Sequence, residues 1–316
     1  MRIVSSVFPK EIIQEEIKSE FPEIQFEFYK GMKDAEKAFY ECEVFLTYGD
    51  DLTVNHIQKN NHLKWIMQMS AGLEQLPLKA IEERGIMITN ARGIHKIPMA
   101  EYTLGTMLQW VKQTRALLEN EQEGNWDRKI RMEELFEKTV LILGVGAIGG
   151  EIARLAKAFR MKTIGVNRSG NGVGNIDELY LTEQMMDALP KADFIVSILP
   201  STPETKHLLT KDHFVAMKNT AVFINIGRGD LVDESLLLRA LEKSEIAHAF
   251  LDVFEKEPLV KDHPFWKMKN VTVTPHLSSV TQNYLPRALE IFKHNLNTYL
   301  NKTGDYMNVI DLKKGY

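Results

Sequence analysis

The stretch "TVLILGVGAIGGEIARLAKAF" constrains the fold of this chain more than any other feature of its sequence. An apolar run leads directly into Gly144, Gly146 and Gly149, and a helical pattern follows at once. Gly144 permits a tight turn, Gly146 lets a phosphate approach the backbone, and Gly149 lets a helix pack close to the sheet. N–H groups at the helix start, including those of Ala147 and Ile148, face such a phosphate. The stretch predicts a dinucleotide-binding strand–turn–helix, and its alternative is a glycine-rich turn without a ligand.

Apolar runs that alternate with charged amphipathic stretches indicate βαβ units around parallel sheets along the chain. Residues 1–95 carry one set of such runs and predict a small α/β domain. Residues 96–282 carry the densest set and predict a doubly wound, Rossmann-type sheet. The strand candidates in this second region are "TVLILG", "KTIGVN", "DFIVSILP", "AVFINIG", "AHAFLDVF" and "VTVTP".

Two helices are expected to connect these parts of the chain. A long amphipathic helix is predicted from about Ala100 to Asn120, with Pro98 ahead of it as a start signal. A final helix within residues 283–316 has apolar residues at helical spacing and is expected to return to the first domain. The predicted fold is α/β with two domains, the smaller of which is made from both chain ends.

Composition and charge exclude several classes of function. The formal net charge of −4 offers no basic face for a nucleic-acid backbone, so nucleic acid is not an expected partner. The single cysteine, Cys42, excludes an intrachain disulfide and a thiolate-rich metal site, and no metal centre is expected. The N-terminus lacks a signal-peptide core, and the longest uncharged run, Thr139–Gly150, is shorter than the roughly 20 apolar residues that span a bilayer. We expect a cytoplasmic protein that does not enter a membrane.

The end of the second strand in the Rossmann-type region, "GVNRSG", predicts the type of nucleotide. An acidic residue usually stands at this point and binds the ribose hydroxyls of NAD. Here the chain has Asn167, which does not repel a phosphate, then Arg168 and Ser169, which can bind a 2′-phosphate through charge-assisted hydrogen bonds. NADP(H) is therefore the predicted cofactor, with NAD(H) also possible. The alternative is a solvated arginine at the edge of the sheet.

Three further apolar strands each lead into a residue that suits hydride-transfer chemistry. Arg228 lies in "FINIGRGDLVDE", Glu257 in "FLDVFEKEPL" and His276 in "VTVTPHLSS". Ligands bind at the carboxyl ends of strands in open α/β sheets, which is where all three are expected. Each of these residues also has a non-catalytic explanation, because loop arginines are usually solvated and single histidines more often have a structural role.

The ordered motifs resemble those of the D-isomer-specific 2-hydroxyacid dehydrogenases, which include glyoxylate/hydroxypyruvate reductases and phosphoglycerate dehydrogenases. The resemblance covers nearly the whole chain and implies a flavodoxin-like substrate domain beside the Rossmann domain. It also implies a homodimer, with contacts through the long helix and the segment near Trp126. The motifs that carry the resemblance are "GVGAIG", "LPSTPETKHLL", "INIGRGDLVDE", "LDVFEKEPL" and "TPHLSS".

The resemblance implies a role for each candidate catalytic residue. His276 would protonate the carbonyl oxygen of a 2-keto acid as hydride arrives, and Glu257 would orient the imidazole and support its protonated form. Arg228 would bind the substrate carboxylate and polarise the keto oxygen. Backbone N–H groups at Ala71 and Gly72 would complete the substrate site, which Arg228 and His276 share.

The resemblance also adds four cofactor-binding residues. They are Pro200, Thr205, Gly227 and Asp252, of which Asp252 holds the nicotinamide carboxamide in the family. One departure is at the substrate loop, where the family often has an aspartate soon after the "AG" and this chain has Leu73 and Glu74. Four side chains are expected to limit the size of the substrate and to favour small keto acids. They are Tyr48, Met69, Leu73 and Tyr284.

Three functions fit these observations. The first is an NADP(H)-dependent reductase of a small 2-keto acid such as glyoxylate or hydroxypyruvate. The second is an NAD-linked D-2-hydroxyacid or phosphoglycerate dehydrogenase. The third, from another class, is a nucleotide-sensing protein that resembles the co-repressors built on the same fold.

Overall fold

The computed structural model describes residues 1–73, 75–172 and 174–312. The chain divides into two compact units. Unit 1 consists of Met1–Ile94 and the C-terminal segment from Thr281 on, and unit 2 is His95–Val280. The last four residues of the predicted C-terminal segment lie outside the described residues.

Unit 1 is a parallel five-stranded sheet with the order β2-β1-β3-β4-β5, the order of flavodoxin-like folds. Its strands are β1 (Arg2–Ser5), β2 (Gln25–Phe28), β3 (Val44–Thr47), β4 (Trp65–Gln68) and β5 (Met87–Asn90). Its helices are α1 (Glu11–Glu20), α2 (Met32–Phe39), α3 (Val54–Lys59), α4 (Leu78–Glu83) and, at the far end of the chain, α11 (Tyr284–Asn301).

Helix α11 completes the core of unit 1. The ring of Phe292 stacks on Trp65 of β4, with the ring centroids 5.5 Å apart, and both side chains are fully buried. Leu289 and Leu296 lie on the same face of the helix and are also buried. Burying a side chain of this size contributes about 1.5–3 kcal/mol, so the C-terminal helix is an integral part of this unit.

Unit 2 is a parallel seven-stranded sheet with the order β12-β11-β10-β9-β6-β7-β8, which is the Rossmann order with one more strand at one edge. Its strands are β6 (Thr139–Leu143), β7 (Lys162–Asn167), β8 (Glu178–Leu181), β9 (Phe194–Ser197), β10 (Val222–Asn225), β11 (His248–Leu251) and β12 (Val271–Val273). Its helices are α5 (Lys96–Val111), α6 (Thr114–Glu123), α7 (Ala147–Ala158), α8 (Met185–Ala188), α9 (Lys211–Ala216) and α10 (Glu234–Glu242).

The six strand candidates of this region omit β8. This strand pairs with β7 at the edge of the sheet, and none of its four residues is fully buried. Its sequence "ELYL" therefore lacks the continuous apolar run that identifies strands covered on both faces.

The single long helix predicted from about Ala100 to Asn120 is wrong, because the structure has two helices there. Gln113 stands between α5 and α6 in a left-handed conformation, with φ 53°, which interrupts the helical hydrogen bonds. Pro98 lies inside the first turn of α5 rather than ahead of it. A proline is tolerated there because the first N–H groups of a helix have no intrahelical acceptor.

The predicted fold class, two α/β parts with one Rossmann-type and one flavodoxin-like sheet, is confirmed by these two topologies. Across the described residues, we find no helix that combines the length and the apolarity needed to cross a bilayer. The same residues contain no group of three or more His, Cys, Asp or Glu side chains placed to hold a metal ion.

Candidate active site

The glycine turn joins the end of β6 to the start of α7. Gly144 has φ 101°, a conformation that residues with a side chain rarely adopt. A Cβ on Gly149 would lie 2.4 Å from the carbonyl oxygen of Gly144, so a glycine is needed for α7 to start this close to the strand. A Cβ on Gly146 would meet no atom within 4 Å, so the outer side of the turn is open. This open side, next to the first amides of α7 at Ala147 and Ile148, fits a pyrophosphate.

The turn after β7 carries the residues predicted to select the cofactor. The Asn167 amide closes this turn, since its Oδ1 accepts from the Gly170 N–H at 2.7 Å and its Nδ2 donates to the Asn171 carbonyl at 2.8 Å. Arg168 and Ser169 are exposed. The Asn167 side chain is thus held within the turn. The Ser169 oxygen also accepts from the Asn171 N–H at 3.2 Å, so the groups left to donate to a ligand are the Arg168 guanidinium and the proton of the Ser169 hydroxyl.

The loop after β9 contains Pro200 and Thr205. The Thr205 hydroxyl donates to the Pro200 carbonyl at 2.5 Å and accepts from the Thr202 amide at 2.8 Å, so it holds the loop together. The pKa of Glu204 is lowered first by a hydrogen bond with Thr202, and the charge of Arg168 also contributes. This loop and the cofactor-selecting turn therefore lie near each other.

Arg228 follows β10, and the glycines on either side let its loop pass against neighbouring backbone. A Cβ on Gly227 would lie 2.7 Å from the Leu199 carbonyl oxygen, and one on Gly229 would lie 1.9 Å from the Phe254 carbonyl carbon. The Arg228 side chain is exposed, and its Nη1 donates to the Gly227 carbonyl at 2.8 Å. The predicted site omits Gly229, although the glycine pair in "GRGD" is a signal for it.

Glu257 and His276 come together at the carboxyl ends of the neighbouring strands β11 and β12. Nδ1 of His276 lies 2.8 Å from Oε2 of Glu257, while the other carboxylate oxygen accepts from the Phe254 N–H at 3.1 Å. Because a carboxylate only accepts hydrogen bonds, Nδ1 carries the proton of this pair, and Nε2 is the nitrogen left for other chemistry. A cavity of about 490 Å³, with Leu259 and Trp266 in its wall, borders the pair.

Asp252, the first residue after β11, fixes the loop that carries His276. Its carboxylate is fully buried and accepts hydrogen bonds from the Thr274 hydroxyl at 2.5 Å, the Leu277 N–H at 2.8 Å and the Ser278 N–H at 2.9 Å. Its backbone carbonyl accepts from the His276 N–H at 2.9 Å. These bonds hold His276 at φ 55°, in the left-handed region that a histidine rarely adopts. Three of the roughly four acceptor sites of the carboxylate are occupied and the residue is 0% exposed, so the predicted contact with the nicotinamide carboxamide stays a prediction.

Tyr102, on α5, extends this network into the interior of unit 2. Its hydroxyl lies 2.6 Å from the Thr274 hydroxyl, which in turn lies 2.5 Å from Asp252. Because Asp252 accepts the Thr274 proton, the Tyr102 hydroxyl is the donor to Thr274. Burial raises the pKa of Tyr102 to about 12. Asp252 is a predicted cofactor-binding residue and Thr274 belongs to the motif "TPHLSS". The predicted site omits Tyr102 and its hydrogen bond to Thr274.

The predicted substrate loop follows β4 in unit 1, where Ala71 and Gly72 are half-buried. Met69 is 0% exposed and packs in the core, so it does not line a substrate site, contrary to the prediction. Leu73 is also a core residue. The rings of Tyr48 and Tyr284 lie 6.5 Å apart and remain partly accessible, and the departure at Glu74 lies outside the described residues.

The sequence of this chain matches the family described as "D-isomer specific 2-hydroxyacid dehydrogenase, NAD binding domain" over residues 104–278. A glyoxylate reductase from Aeropyrum pernix is 32% identical over 258 residues, which are 78% of this chain and 76% of the relative. A D-3-phosphoglycerate dehydrogenase from Methanocaldococcus jannaschii is 35% identical over 236 residues, which are 74% of this chain but only 45% of the relative. The chain thus spans less than half of that phosphoglycerate dehydrogenase.

Solved structures of similar proteins agree with the sequence comparison. A D-isomer specific 2-hydroxyacid dehydrogenase family protein from Aeromonas salmonicida superposes with a TM-score of 0.86 at 32% identity and covers 98% of both chains. An NADPH-dependent glyoxylate/hydroxypyruvate reductase from Sinorhizobium meliloti, solved with NADP and sulfate, has a TM-score of 0.79 at 25% identity. This second match covers 100% of this chain and 99% of the other.

Proposed function

Because this chain belongs to the D-isomer specific 2-hydroxyacid dehydrogenase family, we propose that it reduces a small 2-keto acid to the D-2-hydroxy acid with NADPH. The predicted family and the predicted class of enzyme, an NAD(P)-dependent oxidoreductase, are confirmed by the matches. The observation that carries the proposal is the 2.8 Å contact between His276 and Glu257. Arg228 follows β10, the strand next to β11, at the same edge of the sheet.

The chemistry that a bound nicotinamide supplies is hydride donation to the carbonyl carbon. His276 gives the proton on Nε2 to the carbonyl oxygen, which becomes the hydroxyl of the product. Glu257 holds the imidazole through Nδ1 and offsets the positive charge of its protonated form. Arg228 binds the substrate carboxylate and stabilises negative charge on the keto oxygen as it develops. Asp252 keeps the His276 loop in place during this transfer.

The preference for NADPH rests on Arg168 and Ser169. Both are exposed at the end of β7, where the ribose of a dinucleotide lies in Rossmann folds, and no carboxylate stands beside them within the turn. A guanidinium can pair with the 2′-phosphate of NADPH through two parallel hydrogen bonds, and NADH has no 2′-phosphate. The structure of the Sinorhizobium meliloti relative with NADP supports this choice.

A keto-acid panel tests the proposed reaction. The purified chain is mixed with NADPH and glyoxylate, hydroxypyruvate, pyruvate or 3-phosphohydroxypyruvate, and the loss of NADPH absorbance is followed. We expect the highest kcat/KM with the small, unphosphorylated acids. Turnover that is faster with NADH and the phosphorylated acid would instead support the NAD-linked dehydrogenase. Binding of the nucleotide without turnover of any acid would instead support the co-repressor-like function.

The cofactor preference is tested by Arg168→Ala, with Arg154→Ala as the matched control. Arg154 is another exposed arginine of unit 2, and it pairs with Glu151 on α7. We expect Arg168→Ala to weaken NADPH binding by roughly 10- to 100-fold and NADH binding little, since a hydrogen bond between charged groups contributes about 1.5–3 kcal/mol. Equal effects on the two nucleotides would mean that Arg168 is only a solvated surface residue.

We also propose a homodimer that forms through α5, α6 and the segment near Trp126, in a cytoplasmic protein. Trp126 is 90% exposed and Leu118 of α6 is 52% exposed in the single chain, which is unusual for large apolar side chains. Light scattering is expected to give twice the chain mass of 36.3 kDa, and Trp126→Ser is expected to shift it toward one chain. A single-chain mass for the unaltered protein would rule the dimer out.

A further inference from the structure

Three consecutive backbone carbonyls in the loop after β4 are held by groups of unit 1. The Ser70 carbonyl accepts from the N–H of Ala91 at 3.1 Å. The Ala71 carbonyl accepts from Nδ2 of Asn90 at 2.8 Å. The Gly72 carbonyl accepts from Nε2 of Gln68 at 3.1 Å. Every carbonyl in this short run therefore has a fixed direction.

A fixed carbonyl also fixes the N–H of the next residue. The peptide bonds between Ser70 and Leu73 are trans, because the cis bond found in the described part of the chain lies at Glu257–Pro258. In a trans peptide the C=O and N–H point in opposite directions. The N–H groups of Ala71, Gly72 and Leu73 are thus turned away from the strands that hold the carbonyls. Successive N–H groups in a turn can line a concave site for an anion, and the backbone bends at residues 69–71.

We propose that Gln68 and Asn90 are positioning residues that hold these three amides ready for the carboxylate of the keto acid. The inference rests on the proposed function for the identity of the anion. It adds the amide of Leu73 to those of Ala71 and Gly72. It also explains why two polar side chains are buried at the ends of β4 and β5.

Gln68 and Asn90 are both buried, so few other hydrogen-bond partners are within reach of their side chains. Gln68 is 2% exposed and Asn90 is 3% exposed. Nε2 of Gln68 has two protons for three nearby acceptors, which are the Tyr48 carbonyl at 2.5 Å, the Ser70 hydroxyl at 2.8 Å and the Gly72 carbonyl at 3.1 Å. The Ser70 hydroxyl also donates to the Gly72 carbonyl, at 3.4 Å. Among the described residues Oε1 of Gln68 has no hydrogen-bond partner, so the contacts of this side chain are those of its donor nitrogen. An aliphatic residue at position 90 would leave the Ala71 carbonyl without its side-chain donor, and one at position 68 would leave the Gly72 carbonyl with only the Ser70 hydroxyl at 3.4 Å.

The test replaces each amide by a carboxylate of nearly the same shape, in Gln68→Glu and Asn90→Asp. Asn308→Asp is the matched control, because its Nδ2 donates to the carbonyls of Asn90 and Arg92 but to none of the three loop carbonyls. Binding of oxamate, an unreactive analogue of a small keto acid, is measured by calorimetry at saturating NADPH. Keto-acid turnover is measured separately on the same samples.

We expect both variants to lose oxamate affinity by roughly 10-fold or more, in line with about 1–3 kcal/mol for an unsatisfied buried group, while Asn308→Asp changes it little. KM should rise more than kcat falls, and the Kd of NADPH, which binds unit 2, should not change. The affinity of Asn90→Asp should recover as the pH falls, because a protonated carboxyl regains a donor. Loss of packing alone would not produce this recovery.

The outcomes separate the inference from the proposed function. If oxamate binds the unaltered chain and both variants weaken it, the inference holds even when no keto acid is turned over. If turnover is normal but the variants bind oxamate as the control does, the positioning role is wrong and the proposed function stands. Failure of the unaltered chain to bind oxamate would overturn the inference.

Discussion

Unit 2 holds two histidines on neighbouring strands of one sheet, in surroundings that differ in almost every respect. His248 is the first residue of β11, at the amino end of its strand, and His276 follows the carboxyl end of β12. His248 is 5% exposed, whereas the side chain of His276 is 46% exposed. The same residue type thus serves structure at one edge of the sheet and is available for chemistry at the other.

The surroundings of His248 favour its neutral form. Its ring centroid lies 4.7 Å from that of Phe250 and 5.0 Å from that of Trp110, and its Nε2 lies 2.9 Å from the Thr272 hydroxyl. Burial lowers the pKa of His248 from 6.5 to about 4, and the charge of Arg115 acts in the same direction. A proton on this ring would have no acidic partner, so the residue is a poor general acid.

The surroundings of His276 suit the proton transfer that we propose for it. A carboxylate holds Nδ1, and hydrogen bonds to Asp252 hold the backbone in a strained conformation, so that Nε2 has a fixed direction. Burial and a single neutral partner make a histidine structural, while exposure at a strand end and a charged partner make it reactive. This difference can be tested by changing each region in turn.

The largest effect is expected from His276→Ala. Loss of the general acid should lower the rate of hydride transfer in single-turnover experiments by roughly 10²- to 10⁴-fold, with the Kd of NADPH unchanged. His248→Phe should keep nearly all of the rate, because its ring lies away from the site. A comparable loss of rate in both variants would mean that the two histidines do not differ in their importance for hydride transfer.

The next effect is a dependence of stability on pH that arises from His248. Its pKa is lower in the folded chain than in the unfolded chain, so the folded state binds fewer protons between about pH 4 and 6.5. Stability is therefore lost as the pH falls through this window, by about 2–3 kcal/mol. His248→Phe has no group to titrate there.

Urea unfolding of the two proteins at several pH values measures this difference. The free energy of unfolding of the unaltered chain should fall relative to that of His248→Phe as the solution is acidified below about pH 6.5. Above that pH the difference between them should be constant. Parallel curves over the whole range would show that His248 does not stay neutral in the folded chain.

The sequence predicts the region around His276 better than the region around His248. The glycine turn and the segments around Arg228, Glu257 and His276 were predicted because their signals are local in the sequence. Their order along the chain placed them at the ends of successive strands. The roles of the residues stay predictions, although the structure brings Glu257 and His276 into contact.

What the sequence did not predict depends on contacts between distant segments. Gly229 is needed because the backbone at Phe254 passes 1.9 Å from where its Cβ would be, and these residues are 25 positions apart. The bond between Tyr102 and Thr274 joins residues 172 positions apart. β8 was missed for another reason, since an edge strand has no long apolar run. Local patterns do not contain this information.

Thr274→Val tests how much the buried network contributes to the reactive region. Valine keeps the shape of threonine but removes the proton that Asp252 accepts at 2.5 Å. A hydrogen bond to a charged group contributes about 1.5–3 kcal/mol, so we expect a loss of stability of about 2 kcal/mol. We also expect kcat to fall because the His276 loop is less well held. A stable variant with normal kcat would show that the amides of Leu277 and Ser278 suffice to hold Asp252.

The smallest effect is expected from Tyr102→Phe, which removes the outermost donor of the same network. Thr274 would still donate to Asp252, so the loss should be that of one neutral hydrogen bond, about 0.5–1.5 kcal/mol of stability. The combination with Thr274→Val separates two cases. If Tyr102 acts through Thr274, the double variant should be little worse than Thr274→Val alone, because the Tyr102 hydroxyl has already lost its acceptor. Additive losses would mean that Tyr102 stabilises α5 independently, and the network that distinguishes His276 from His248 would then end at Thr274.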